Sequence, residues 1–325
     1  MITFIIRRLL YSIPVLFAAS VLIFFSVTAI GDPLAELKIN PLLSKSTVHR
    51  IEQRKHLNDS IPVQYGYWVK EALTNKFGTP LLQPGNRIWD DLRRVIPHTL
   101  QLILLAEILA LLLGVAIGVY SAIRQYSVFD YSFTTLSFLG FAMPVFWLAL
   151  MLQVLFTNIF IKWHVRIFYT SGLNSENAGH GIHFVMDRLQ HLAIPAMTLM
   201  VISIATYSRF MRASMLEVVN SDYVRTARAK GLVDRKVTLK HALRNALIPV
   251  VTVSALNFGG LIGGAVITES IFQLDGMGNY FIQNLFSQDV YAVMAWLMVT
   301  ATAVIIFNLI ADVAYGYLDP RIRYD

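Results

Sequence analysis

The chain has 325 residues, of which 56% are hydrophobic and 14% are charged, and its formal net charge is +7. Because soluble globular proteins carry about 25% charged residues, this composition excludes an ordinary soluble domain and indicates a chain embedded in a membrane. In so apolar a chain, membrane topology and anionic lipid explain the basic charge, and no nucleic-acid binding is predicted. The lack of cysteine excludes disulfides, thiolate metal sites and cysteine nucleophiles.

The first predicted element is a membrane-spanning helix. Arg7 and Arg8 precede an apolar run over residues 9–30. This run is longer than the apolar part of a secretory signal, which has about 7–15 residues, and it does not end in a small-residue cleavage pattern. With a rise of about 1.5 Å per residue, it can cross a hydrocarbon core of about 30 Å. We therefore expect residues 1–30 to form a retained first span.

Residues 31–97 form a polar segment that is too long for a bare connection between two spans. Aromatic residues and turn signals are distributed along it: Tyr65, Tyr67, Trp68, Phe77, Gly78, Pro80, Pro84 and Gly85. We expect a small extracytoplasmic element built from short helices. It serves as a structured cap, as a docking surface for an outside partner, or as both, and the sequence leaves these alternatives open.

Five further apolar segments reach spanning length, and each must be helical because lipid offers no hydrogen-bond partner to an open strand. They form a predicted five-helix core over residues 98–314, with spans at 98–121, 134–160, 191–211, 246–268 and 291–314. A basic segment, 212–245, and a tail, 315–325, complete the chain. The predicted fold class is an all-α integral membrane protein with six transmembrane helices. Four glycines of the fifth span are expected to allow close packing or a bend: Gly259, Gly260, Gly263 and Gly264.

The distribution of positive charge predicts the orientation. With the amino terminus in the cytoplasm, the inside segments hold 14 basic residues, nine of them between Arg209 and Arg244. The outside segment 269–290 then holds none, and 161–190 holds three. The segment 31–97 exceeds the length of about 60 residues beyond which the charge rule no longer applies. We therefore expect both termini to be cytoplasmic.

The basic segment contains a short helix with recognisable ends. Ser221 is a candidate cap that accepts a hydrogen bond from a free backbone N–H, and Asp222 suits the positive end of the helix dipole. Gly231 is a typical left-handed helix stop. These signals predict a helix over 222–230, and a second helix is expected over 235–246.

The two predicted helices have distinct faces. Asp234 is a candidate cap for the second helix, on which an apolar stripe has i, i+3, i+4 and i+7 spacing: Leu239, Ala242, Leu243 and Ala246. A separate face carries the basic row Lys236, Lys240 and Arg244. The first helix is kept thin by Ala227 and Ala229. Such a thin, charged helix can insert into a groove of another protein or rest on anionic headgroups, and the residue pattern leaves both open.

Two stretches of this segment, Asp222–Leu232 (DYVRTARAKGL) and His241–Thr252 (HALRNALIPVVT), resemble the cytoplasmic coupling loop of ABC importer permeases of the dipeptide and oligopeptide class. Supporting matches extend along the whole chain: Gly31-Asp32-Pro33, Glu269-Ser270-Ile271-Phe272, Gly276-Met277-Gly278 and Asp319-Pro320-Arg321-Ile322-Arg323. Together these motifs are specific, although each one alone is weak.

The chain departs from the general coupling motif of binding-protein-dependent permeases. That motif begins Glu-Ala-Ala, whereas the matching positions here are Arg225, Thr226 and Ala227. The interval from Gly231 to Pro249 is also longer than in the general motif. Both departures are typical of the peptide subgroup. Because the glutamate of the general motif is replaced by Arg225, the ion pair that this glutamate forms in the general motif is not expected here.

The resemblance implies the architecture of a type I ABC importer permease in the inner membrane of a prokaryote. The implied partners are a second, similar permease, one or two ATPase subunits and an extracytoplasmic substrate-binding protein. The residues implied to couple to the ATPase are Asp222, Tyr223, Arg225, Ala227, Arg228, Lys230, Gly231 and His241. The implied cargo is a dipeptide or oligopeptide, and the alternatives within the same class are nickel, glutathione and haem.

The chain contains no G-x-x-x-x-G-K-[ST] phosphate loop, so we expect ATP and Mg to bind the partner ATPases. No cofactor and no enzymatic activity are expected on this chain, since H-E-x-x-H and G-x-S-x-G are also missing. His180, His183 and His191 are close in sequence, but the Gly-rich segment around them fixes no ligand geometry. A metal site is therefore not predicted.

Polar residues of the spans are candidates for the wall of a translocation path: Gln101, Glu107, Ser137, Gln153, Thr252, Ser254 and Asn257. Hydrogen bonding between helices explains each of them equally well. Glu107 is the one acid deep in a predicted span; Arg209 should lie about 13 Å away in depth, so Asn257 is the better-matched partner. A single acid is a poor proton path, which argues against the rival function of an ion-coupled carrier.

Overall fold

The structure is a computed structural model that describes residues 2–30, 32–39, 43–81 and 86–318. Several positions used above lie outside the described residues: Gly31, Pro84, Gly85, residues 319–325 of the predicted tail, and the surroundings of Gly263 and Gly264. Within the described ranges, the regular secondary structure is helical throughout.

The described residues form α-helices and one π-helical turn, Val237–Ala242. In chain order the α-helices are α1 (Ile2–Ile30), α2 (Ala35–Ile39), α3 (Lys45–Arg54), α4 (Ile61–Thr74), α5 (Ile88–Ile123), α6 (Val128–Ala142), α7 (Val145–Trp163), α8 (Ile182–Val219), α9 (Asp222–Ala229), α10 (Asp234–Lys236), α11 (Leu243–Gly264), α12 (Val266–Ile271), α13 (Met277–Phe286) and α14 (Val290–Leu318).

Six helical stretches of the described chain are long and apolar enough to cross a membrane: Ile5–Ala29, Ile88–Ile123, Val145–Trp163, Ile182–Val219, Asp234–Leu261 and Val290–Val313. The predicted all-α fold with six membrane-spanning helices is therefore confirmed. Helices α5 and α8 extend well beyond the apolar runs that identified them, because polar residues continue the same helices past the expected boundaries.

The third apolar segment, predicted as one span over 134–160, is broken into α6 and α7. Met143 has an extended backbone, with φ −77° and ψ 126°, and Pro144 follows with ψ 133°. The proline ring disfavours helical geometry at the residue before it, and proline has no N–H to donate back to the preceding turn. The break is therefore a local consequence of Pro144.

The chain divides into two compact units, and α8 organises the first, which contains Leu100–Leu274 and the chain from Ile306 onward. Helices α6, α7 and α11 all pack against α8. Helix α5 approaches it closely at Gly118, where an added Cβ would lie 2.5 Å from the Met211 Cβ atom. An added Cβ at Gly260 meets no heavy atom of the described residues within 4 Å.

The second unit contains Ile2–Thr99 and Asp275–Ile305. Where short helices were expected between the first two spans, it has α2, α3 and α4. Helix α4 packs on α1, with the hydroxyl oxygens of Ser20 and Tyr65 2.7 Å apart. The backbone N–H of Leu81 donates to the Asp289 carboxylate at 2.6 Å. This segment is thus folded onto other parts of its own unit.

Candidate functional site

Helix α9 has the predicted C-terminal end but a different N-terminal cap. The Ser221 hydroxyl donates to the Val218 carbonyl oxygen at 2.6 Å, so its prediction as a side-chain cap is wrong. The helix begins instead on the Ser221 carbonyl oxygen, which accepts from the N–H groups of Val224 and Arg225 at 3.1 Å each. Gly231 has φ +75°, which is the left-handed conformation expected of it.

The two faces of α9 differ in exposure. Val224 and Ala227, three residues apart, are buried in a core with residues of α8, the π-helical turn and α11. Ala227 is one of the residues implied to couple to the ATPase; its side chain packs inside this chain, because the i, i+3 spacing places it beside Val224. The other predicted coupling residues of this region are exposed: Asp222, Tyr223, Arg225, Arg228, Lys230 and Gly231.

Two polar contacts join α9 to the segment after it. The Asn245 side-chain amide donates to the Tyr223 hydroxyl at 2.8 Å, and the Arg228 guanidinium donates to the Asp234 carboxylate at 3.2 Å. Asp234 therefore does not cap the second helix as predicted, since its side chain is directed to Arg228. His241, the last predicted coupling residue, is half-buried in the π-helical turn.

The second predicted helix is continuous with the fifth span and contains the π-helical turn. The Leu243 N–H donates to the Thr238 carbonyl, which is an i→i+5 hydrogen bond. Compared with a regular α-helix, this wider turn changes which residues of the continuous helix face the core. The buried ones are Val237, Ala242, Ala246 and Val250. The predicted stripe is therefore partly wrong: Ala242 and Ala246 are buried, but Leu239 is 49% exposed.

Glu107 is 6% exposed and lies in a hydrogen-bonded network between three helices. Its carboxylate accepts from the Ser203 hydroxyl at 2.7 Å and from the Tyr207 hydroxyl at 2.5 Å. The Asn257 amide donates to the same Tyr207 hydroxyl at 3.3 Å. Asn257 is thus linked to Glu107 through Tyr207, one hydrogen bond further away than expected.

The difference in depth predicted that Arg209 and Glu107 do not pair, and the structure agrees. Its Nε donates to the Ala205 carbonyl oxygen at 3.0 Å. The guanidinium lies over the rings of Phe138 and Phe141, 5.1 and 4.8 Å from their centroids. Cation–π contacts of this kind accommodate a cation that, among the described residues, forms no ion pair with a carboxylate.

Glu107 and Ser254 line a cavity of about 290 Å³ whose other walls are apolar, with Phe258 and Phe307 among them. Together with Asn257, they are the candidate path residues that the structure brings close to one another. The remaining candidates bond elsewhere: Gln101 to Arg188, Ser137 to Ser208, Gln153 to the Thr170 carbonyl and Thr252 to the Ile248 carbonyl.

An ion pair between Asp130 and Arg212 was missed at the sequence level. The guanidinium donates from Nε and Nη2 to the two carboxylate oxygens at 2.6 and 2.8 Å, and Asp130 is 2% exposed. The Tyr126 N–H also donates to this carboxylate at 3.0 Å. The hydrogen bonds from Arg212 lower the pKa of Asp130 below its ordinary value. No spacing rule connects these residues, which are 82 positions apart in the chain.

Of the three histidines considered above, His180 and His183 are exposed and His191 is buried. Among the described residues, no group of three or more His, Cys, Asp or Glu side chains is arranged to hold a metal ion. The His191 ring stacks on Tyr169 at 3.9 Å between centroids, and its Nδ1 lies 2.9 Å from the Asp187 carbonyl oxygen. His191 thus packs within the fold.

Two family models match this chain. The model described as "Binding-protein-dependent transport system inner membrane component" matches residues 114–324, which include α9 and the π-helical turn. The model described as "Binding-prot-dependent transport system membrane comp, N-term" matches residues 1–81. The two matched ranges cover the N-terminal segment and most of the predicted core.

Curated relatives match over the full length. The chain is 39% identical over 325 residues to the oligopeptide transport system permease protein AppB of Bacillus subtilis (strain 168), with 100% of both chains covered. It is 36% identical over 334 residues to the dipeptide transport system permease protein DppB of Alkalihalophilus pseudofirmus, again with 100% of both covered. It is 36% identical over 344 residues to the di/tripeptide transport system permease protein DppB of Pseudomonas aeruginosa, covering 100% of this chain and 99% of the relative.

The six apolar helices, the family match over most of the chain and the full-length relatives agree with one another. The chain belongs to the family of inner membrane components of binding-protein-dependent transport systems, and it is a permease subunit of an ABC importer.

Proposed function

We propose that the cargo of this permease is a dipeptide or an oligopeptide. The observation that carries the proposal is the full-length similarity to permeases named for oligopeptides, dipeptides and di- or tripeptides. A path for variable peptides needs few charged groups of its own. The apolar cavity beside Glu107 and Ser254 supports that reading, since Glu107 is its one lining acid among the described residues.

The energy for transport comes from separate ATPase chains in this proposal. The chain has no phosphate loop, and its family is one of membrane components that work within larger transport systems. The assembly would contain a second permease similar to this one, one or two ATPase subunits that bind ATP and Mg, and an extracytoplasmic substrate-binding protein. This chain then supplies half of the membrane path and one ATPase contact.

We assign that contact to the exposed face of α9. Tyr223, Arg225 and Arg228 lie on this face, while Val224 and Ala227 attach the helix to the core around α8 and α11. A displacement of α9 by the ATPase would therefore pass through packed side chains to two spans. The hydrogen bonds Tyr223–Asn245 and Arg228–Asp234 join α9 to the start of α11 and to α10, so a displacement of α9 would carry both with it.

The same proposal requires both termini and the segment 212–245 to be cytoplasmic. The excess of basic residues in these segments supports this orientation. The segment 31–97 then faces the binding protein on the outside. Glu107, Ser254 and Asn257 are assigned to the path wall, where Tyr207 bonds to both Glu107 and Asn257 and the Ser254 hydroxyl donates to the Val251 carbonyl oxygen.

Uptake by the reconstituted transporter tests the cargo assignment. Proteoliposomes containing both permeases and the ATPases, supplied with the binding protein, should accumulate labelled di- or oligopeptides only when ATP is present on the ATPase side. Nickel, glutathione and haem serve as competing cargoes. Selective ATP-driven uptake of one of these, with no peptide uptake, would refute the peptide assignment but not the family. Uptake that follows a pH gradient without ATP would contradict the importer mechanism itself.

A further inference from the structure

A polar pocket of about 370 Å³ lies within the second unit, between the end of α3, helix α4 and the start of α14. Its volume is in the range of about 300–1,000 Å³ that is typical of pockets for small ligands. The stacked rings of His56 and Tyr67, 3.4 Å apart between centroids, form one part of its wall. Three cations and one acid form another part: Arg54, Lys55, Lys70 and Glu71.

Lys55 is a half-buried cation whose position is fixed by its neighbours. Its Nζ donates to the Thr79 carbonyl oxygen at 2.6 Å and lies 4.6 Å from the centroid of the Tyr291 ring. The Tyr291 hydroxyl donates to the Lys55 carbonyl oxygen at 3.1 Å. Because an ammonium group has three N–H donors, the bond to Thr79 leaves donors for a ligand. Burial lowers the pKa of Lys55 below its ordinary value, so a bound carboxylate would stabilise the charged form.

Glu71 is the acid of the pocket, and it is held apart from Lys55. Its Oε2 accepts from the Asn75 side-chain amide at 3.0 Å, and a Cβ added at Gly78 would lie 2.7 Å from the same oxygen. Within the described ranges, neither Glu71 nor Lys55 forms an ion pair. Two opposite charges that line one pocket without pairing can each receive the opposite charge of a ligand, through charge-assisted hydrogen bonds.

We propose that this pocket binds a small zwitterion, a free amino acid or a dipeptide, by its two charged ends. Lys55 binds the carboxylate of the ligand and Glu71 binds its ammonium group. A metal cation would meet the three cations of the wall, and a purely anionic ligand would meet Glu71, so a ligand with both charges fits best. The site is distinct from the cavity beside Glu107. Its location outside the membrane rests on the proposed orientation, whereas the class of ligand rests on the charges of the pocket.

Equilibrium binding of dialanine tests this site in the assembled transporter. Both permeases and the ATPases, placed in nanodiscs without ATP and without the binding protein, should bind labelled dialanine. N-acetyl-dialanine has no ammonium group, and dialanine amide has no carboxylate. Each should bind about tenfold more weakly than dialanine, because each loses one charge-assisted hydrogen bond. This comparison uses the unaltered chain, so it needs no variant to fold.

Two variants assign the two ends of the ligand. Glu71→Gln should weaken the binding of dialanine about tenfold but should not weaken that of N-acetyl-dialanine, which has no ammonium group to lose. Lys55→Met should weaken the binding of dialanine to a similar degree but should not weaken that of dialanine amide. Lys45→Met is the matched control, since Lys45 is exposed on α3 and does not line the pocket. It should bind dialanine as the unaltered chain does.

Three results would overturn the proposal. A lack of dialanine binding, or equal binding of dialanine and its two blocked forms, would show that the pocket does not recognise charged ends. Dialanine binding that Glu71→Gln and Lys55→Met both leave unchanged would place the ligand elsewhere in the transporter. If the two variants weaken docking of the binding protein but not dialanine binding, the pocket is a protein contact. ATP-driven peptide uptake that persists in each case would leave the proposed function intact.

Discussion

Asp130 and Glu107 are both buried carboxylates, but they are held in different ways. Asp130 forms a two-pronged ion pair with Arg212, which joins the start of α6 to α8. Glu107 accepts hydrogen bonds from two neutral hydroxyl groups of α8. The first arrangement fixes helix positions through charge. The second leaves a polar group beside an apolar cavity.

Asp130→Asn is expected to destabilise the permease, because it leaves the Arg212 guanidinium without its charge partner. The loss should be about 2–3 kcal/mol, somewhat below the range for a fully buried pair, since the Arg212 side chain is 28% exposed. Thermal unfolding of the purified chain measures it. Arg212→Lys keeps the charge but not the two-pronged geometry, so its stability should lie between that of the unaltered chain and that of Asp130→Asn. An unchanged melting temperature for Asp130→Asn would contradict the structural role of the pair.

The same ion pair has an expected pH dependence. Because Asp130 has a lowered pKa in the folded chain, its contribution is complete above the unfolded pKa of about 3.9. The contribution is lost as the pH falls through the folded pKa. Asp130→Asn should remove this part of the acid sensitivity. The difference in stability between the unaltered chain and Asp130→Asn should therefore shrink in acid.

At the scale of elements, short departures from regular α-helix determine which faces meet. The π-helical turn brings Val237 onto the same face as Ala242 and Ala246. Pro144 interrupts the third apolar segment, and Gly118 allows α5 to approach α8. Gly231 ends α9 and turns the chain toward α10. The last three features follow from single residues, Pro144, Gly118 and Gly231, whose backbone or size differs from that of their neighbours.

Gly231 should be required for its backbone conformation rather than for lack of space. An added Cβ would meet no heavy atom within 4 Å, but φ is +75°, which costs other L-residues about 1–2 kcal/mol. Gly231→Ala and Gly231→Arg should therefore shift the turn after α9 and lower the peptide uptake per ATP hydrolysed. Gly231→Asn is the matched control, because asparagine tolerates this conformation. Normal uptake and normal stimulated ATPase activity in Gly231→Arg would refute the coupling role of the turn.

At the scale of the whole molecule, the orientation and the ATPase contact can be tested together. Single cysteines at Ser46→Cys, Thr226→Cys and Ala227→Cys introduce the only thiol in each chain. A membrane-impermeant maleimide should label Ser46→Cys from outside the cell and Thr226→Cys only in inverted vesicles. Added ATPase subunits should protect Thr226→Cys, which is on the exposed face of α9. Ala227→Cys should label poorly on either side, since that position is buried.

Labelling of Thr226→Cys from outside the cell would reverse the proposed orientation. Labelling that the ATPase does not reduce would instead leave the orientation intact and remove α9 from the contact. Ala227→Cys is the matched control for these outcomes, because it differs from Thr226→Cys by one position and by face.

Much of this protein could be predicted because its signals are local. Apolar runs longer than the bilayer core identify spans wherever they occur. The family motif around Asp222–Leu232 indicates the segment proposed to couple to the ATPase, and Gly231 marks the helix end. The burial of Ala227 could not be inferred in the same way. It depends on the surface against which α9 packs, which is formed by helices distant in the sequence.

The sequence by itself determined the six-span class, the family and the separation of Glu107 from Arg209, because length, hydropathy and short motifs are properties of neighbouring residues. Only the tertiary structure decided that Tyr207 lies between Glu107 and Asn257, that Asp130 pairs with Arg212, and which face of α9 is free. These pairings join residues that are tens of positions apart. They depend on the packing of whole helices, which no spacing along the chain specifies.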